Sequence, residues 1–187
     1  MPTWAIILII AAAVIIIGLI WYISTKNKFV RLGTACDEGF STIDVYLKKR
    51  YDLIPNLVET VKGYAKHESA TLENVIKARN AAVSATGDAK VEAENQLQGT
   101  LKSLFALAES YPDLKADSQF LNLQNQLHAI EQDLSQARKY YNATVKSYNV
   151  YLQMFPSSIV ASLMKLEKRA FFEVSDPSER QNVKVSF

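Results

Sequence analysis

The chain has 187 residues, with 21 Lys and Arg against 19 Asp and Glu, a formal net charge of +2, two His and one Cys. That balance excludes the strongly basic face of a nucleic-acid binder, and a single cysteine excludes an internal disulfide. With only 6 Gly and 5 Pro, the chain is poor in helix breakers, and long helices are the expected elements.

Residues Trp4 to Ile23, WAIILIIAAAVIIIGLIWYI, carry no charge. About 20 helical residues at 1.5 Å rise span about 30 Å, the hydrocarbon thickness of a bilayer. The run holds nine Ile, two Leu and one Val. At about 0.3–0.6 kcal/mol each, these favour insertion by roughly 4–7 kcal/mol. Trp4 at one end and Trp21-Tyr22 at the other place aromatic rings at the two water interfaces. A cleaved signal peptide has a basic leader, a shorter apolar stretch and a small-residue cleavage site. This run has none of the three, so it is expected to be retained, with the lipid bilayer as its partner. Lys26, Lys28 and Arg31 follow directly, which places the C-terminal part in the cytoplasm by the positive-inside rule. The alternative is an exported, periplasmic domain.

From Phe29 through Leu32, Cys36, Phe40, Ile43, Leu47, Tyr51, Ile54, Val58 and Val61 to Ala65, apolar positions recur every three or four residues. This is one helical stripe. It starts so close to the apolar run that the membrane helix is expected to continue into the soluble part. Cys36 lies on the stripe, which favours burial over reactivity. Lys48-Lys49-Arg50 reads as a solvated helix face, with lipid headgroups as the alternative contact. Pro55 interrupts the hydrogen-bond ladder, so a kink or tight break is expected there, with Asp52 capping a restarted helix.

A turn is expected at His67 to Ala70, then a helix to about Ala85 with Leu72, Val75, Ile76, Ala82 and Val83 facing inward. Gly87-Asp88 ends it and caps the next helix, Ala89 to about Ser110, which stops at Tyr111-Pro112-Asp113. From Phe120 to Phe155 the stripe repeats over a helix of about 54 Å. Ser157-Ser158 then caps a short last helix, Ile159 to about Lys168. The fold class is all-α: a transmembrane helix (1–25) continuing into an antiparallel bundle of long helices (26–170), with an extended tail (171–187).

The segments YLKKRYDLIPNLVETVKGYAKHE (Tyr46 to Glu68), YPDLKADSQFLNLQNQL, RKYYNATVKSYN and the closing KVSF resemble the LemA family of bacterial membrane proteins. Tyr51 is a departure, standing where a His is common. The resemblance implies a single-pass anchor and a helical bundle, with no catalytic motif and no cofactor. It also raises association with membrane protease systems.

The residues themselves offer little chemistry. His67 falls in a turn. His128 and Glu131 form one pair on one helix face, where a bundle metal site needs several inward carboxylates. No phosphate loop or nucleophile motif is present. No metal, small-molecule substrate or enzymatic role is expected. Tyr140, Tyr151 and Phe120 are candidate interface residues for a homo-oligomer. Val183, Val185 and Phe187 alternate with polar residues before the terminal carboxylate, a pattern suited to a protein partner's sheet edge or carboxylate pocket. The expected role is a membrane-anchored scaffold that self-associates, with an adaptor or modulator of a membrane protease or signalling partner as the alternative.

Overall fold

The structure is a computed structural model and describes residues 2–86 and 88–172. Among these there are six helices and no strand: α1 (Thr3–Tyr64), α2 (Ser69–Ser84), α3 (Asp88–Ala108), α4 (Pro112–Lys115), α5 (Ser118–Gln153) and α6 (Ser157–Leu163). The all-α expectation holds, and the apolar run does continue unbroken into the first soluble helix. The segment from Glu173 onward, with Val183, Val185 and Phe187, lies outside the described residues.

The chain forms two compact units, residues 2–41 with 138–171 and residues 42–137 with 172. The first comprises the N-terminal part of α1, the C-terminal part of α5, and α6. Within it, Gly39 lies against Tyr140 and Tyr141, and Phe29 against Tyr148 and Tyr151, so α1 and α5 run antiparallel. Its core gathers Phe29, Cys36, Val145, Tyr148, Val160 and Ala161. Cys36 is fully buried, as its stripe position requires. At Gly39 the two helices approach closely: a Cβ there would stand 3.3 Å from the Tyr141 Cα.

The second unit packs the rest of α1 with α2, α3, α4 and the first half of α5. The α1 stripe is buried through Ile43, Leu47, Ile54, Val58 and Val61, and meets Leu72 and Val75 of α2, Leu97, Leu101 and Leu104 of α3, and Leu123, Leu127 and Leu134 of α5 in the buried interior. Asp117 starts α5: its Oδ1 accepts from the Phe120 backbone N–H at 2.8 Å, satisfying a first-turn donor, and its Oδ2 accepts from the Tyr64 hydroxyl at 2.9 Å.

Four local expectations are corrected. α1 passes through Pro55 without ending, so there is no restarted helix for Asp52 to cap. Proline leaves the carbonyl four residues earlier, that of Tyr51, without its helical N–H, and Arg79 Nε from α2 donates to that oxygen at 3.2 Å. Phe40 of the α1 stripe is 45% exposed and Val83 of α2 is 49% exposed, because each lies at the edge of its buried face. α6 is shorter than expected, and Ser157 does not cap it. Its hydroxyl turns back to donate to the carbonyls of Tyr151 and Met154, at 2.6 and 2.8 Å, closing the C-terminal end of α5. Finally, the residues after Tyr111 form the one-turn helix α4, which buries Leu114.

Candidate functional site

Three features stand out: the apolar start of α1, the segment that closes the first unit, and a buried polar cluster in the second.

Between Trp4 and Ile20 every large apolar side chain is 46% to 67% exposed. This stretch is long and apolar enough to cross a membrane, and none of its most apolar window is buried within the protein. A core helix of a water-soluble fold would bury such side chains. Of the expected span ends, Trp4 is exposed, as is Ile23. Trp21 and Tyr22 pack partly against the core of the first unit, alongside Leu152, Met164 and Leu166. Lys28 lies over the Tyr151 ring at 4.3 Å.

The segment after α6 is tied down by side chains of α5 and α1. The Asn149 amide grips the Arg169 backbone twice, Nδ2 donating to its carbonyl at 2.8 Å and Oδ1 accepting from its N–H at 2.9 Å. The Tyr141 hydroxyl donates to the Ala170 carbonyl at 3.0 Å. The Arg169 guanidinium reaches Asp37 and lies 5.3 Å from the Tyr148 ring centre.

The polar cluster corrects the reading of Lys48-Lys49-Arg50 as a uniformly solvated face. Lys48 and Lys49 are exposed, but Arg50 is only 2% exposed. Its guanidinium binds Glu94 of α3, itself buried, and Glu131 of α5 at 2.6 Å. The Tyr51 hydroxyl donates to Glu94 as well. Burial first, and then the Glu94 carboxylate, push that hydroxyl far above the ordinary tyrosine range. Lys90 covers the Tyr51 ring at 5.2 Å and donates to the Ala82 carbonyl at 2.9 Å. Such a cluster ties four helices together at one point.

A signal for it exists in the sequence. Arg50 follows Leu47 by three and precedes Ile54 by four, so it sits on the apolar stripe. Glu94 likewise lies three residues from Val91 and from Leu97. Opposite charges placed on two buried stripes point to a buried pair.

Of the interface candidates, Tyr140 is 53% exposed and rests on Gly39. Tyr151 is half-buried and stacks on Phe29, with ring centres 4.7 Å apart. Phe120 is 3% exposed and meets Phe105 edge-on at 6.3 Å; it is a core residue, because the α5 stripe turns it onto α3. His67 and His128 are exposed, and His128 contacts Gln132 on its own helix. Among the described residues, no group of three His, Cys, Asp or Glu is placed to hold a metal ion.

The family model described as the LemA family matches residues 39–187. The chain belongs to the LemA family. The match takes in most of α1 after the apolar run and every later helix. Protein LemA of Metamycoplasma hominis is 26% identical over 167 residues, covering 88% of this chain and 76% of the relative. Magnetosome protein MamQ of Magnetospirillum gryphiswaldense is 20% identical over 191 residues, covering 86% and 70%. Magnetosome protein MamQ 2 of Paramagnetospirillum magneticum is 20% identical over 174 residues, covering 79% and 64%. This LemA family chain combines one N-terminal helix whose apolar start is long enough to cross a membrane with further helices after it.

Proposed function

We propose that this chain is a non-enzymatic scaffold tethered to the bacterial cytoplasmic membrane by one pass of α1, and that it self-associates through its soluble helices. The observation that carries the reading is the apolar start of α1, whose side chains have no partner within the protein. Lipid is the solvent that lets them stay uncovered. Lys26, Lys28 and Arg31 support a cytoplasmic soluble part. Phe40, 45% exposed, and Tyr140, 53% exposed and resting on Gly39 where α1 and α5 approach, leave apolar surface that supports contact with a second copy. Confinement to two dimensions raises the effective concentration, so a weak contact is enough.

The test is disulfide trapping in membranes. Full-length protein carrying Cys36→Ser and Tyr140→Cys is reconstituted at increasing lipid-to-protein ratios and oxidised. A covalent dimer that persists on dilution is the expected result. A monomer at every ratio removes the scaffold reading.

A further inference from the structure

α6 is apolar on two sides. Ser157, Val160 and Ala161 are buried against the first unit. The opposite side of α6 and the turn that leads into it are bare: Phe155 and Met154 in the turn are 81% and 53% exposed, and Ile159 and Leu163 on α6 are 49% and 69% exposed. Ile159 and Leu163 are four apart in α6 and line one face; Phe155 precedes them in the turn between α5 and α6. Large apolar side chains left bare together mark a contact surface.

The place of this row within its unit favours lipid. α5 runs antiparallel to α1, with Gly39 opposite Tyr140–Tyr141 and Phe29 opposite Tyr148 and Tyr151. The same register carried onward brings the end of α5 alongside Ser24 and Thr25, and Thr25 is buried there. Trp21 and Tyr22, the aromatic end of the apolar run, join the same core as Val160 and Ala161 of α6. The bare row therefore stands at the level where α1 leaves the bilayer and is continuous with the lipid-facing surface of the anchor. Lys26 on α1 and Lys165 just after α6 are exposed at the same end, where cations meet anionic headgroups.

We propose that the α5–α6 corner is a second membrane-contact site, in which Phe155, Ile159 and Leu163 enter the interfacial layer of the same bilayer that α1 spans. The corner holds the first unit against the membrane surface at two points instead of one, and so limits its tilt and rotation. The inference rests on the anchor reading of α1.

Environment-sensitive fluorophores on single introduced cysteines test it, in full-length protein carrying Cys36→Ser and reconstituted into phosphatidylcholine–phosphatidylglycerol vesicles. The sites are Phe155→Cys and Leu163→Cys, with Ile15→Cys inside the span and Lys102→Cys on the exposed side of α3. Headgroup-proximal nitroxide lipids are expected to quench the probes at 155 and 163 several-fold more than the probe at 102, with aqueous iodide quenching them less. Iodide access at 155 and 163 equal to that at 102, while the probe at 15 stays lipid-quenched, overturns the second contact and leaves the anchor standing. Shielding from iodide without lipid quenching means that protein covers the corner, and also overturns it. A probe at 15 that lipids carrying the nitroxide deep in the acyl chain do not quench overturns the anchor and this inference together.

Discussion

Single side chains decide whether the second unit is one defined structure. Arg50 is buried between Glu94 and Glu131, and its charge is tolerable only while its partners stay. Glu94→Ala strands a buried guanidinium and is expected to cost about 3–5 kcal/mol, whereas replacing the cluster together, Arg50→Met and Glu94→Leu with Tyr51→Phe to remove the hydroxyl that donates to Glu94, should cost much less. Denaturant midpoints of the two variants in vesicles check this; equal losses in both would mean the pair is stabilising in itself. Asp117 acts at the same scale through pH. The Phe120 backbone N–H and then the Tyr64 hydroxyl hold its carboxyl below the ordinary carboxylate range. A depressed folded pKa gives stability that is present above the unfolded value and is lost as pH falls through the folded one. Acid unfolding of the wild type should therefore steepen below about pH 4. Asp117→Asn, which keeps a capping oxygen and loses the charge, should flatten that part of the curve. An unchanged acid limb would show that Asp117 is not a source of the pH dependence.

At the scale of the helices, periodicity carried most of the fold, because a stripe with spacings of three and four can be buried in only one way. Every soluble helix except the one-turn α4 was legible from it. Pro55 was not, since the donor that Tyr51's carbonyl lacks comes from Arg79, 28 positions beyond Tyr51. Arg50 was missed for a related reason. Its neighbours Lys48 and Lys49 are solvated, and a run of charge hides one member turned inward at stripe phase. The outward row of α6 follows from chain geometry at the α5 end, which a stripe alone does not report. The Pro55 account makes a paired prediction. Arg79→Met leaves a carbonyl unsatisfied and should cost about 1–3 kcal/mol. In a Pro55→Ala background the restored helical N–H serves Tyr51, and the same change should cost much less. Equal costs in both backgrounds, measured by urea denaturation, would separate Arg79 from the proline.

For the whole molecule, the decisive question is whether α1's apolar start acts as a specific binding element or only as a tether. Close packing of membrane helices favours small residues four apart. Here Gly18 has Val14 and Tyr22 at those positions, and Ala11, Ala12 and Ala13 face Ile15, Ile16 and Ile17. No such pair exists in the run, so the association proposed for this LemA family chain falls to the soluble helices, with lipid supplying confinement alone. It follows that replacing Ile6 to Ile20 by leucines should leave the disulfide-trapped dimer at position 140 intact. Adding Phe40→Ser should weaken it, because Phe40 packs on Tyr141, the chain neighbour of Tyr140, and is 45% exposed. Deleting the span altogether should lose the dimer at equal total protein, since the effective concentration falls once the chains leave the bilayer. A leucine span that abolishes trapping, with Phe40→Ser leaving it unchanged, would reverse the assignment and make the membrane helix itself the contact.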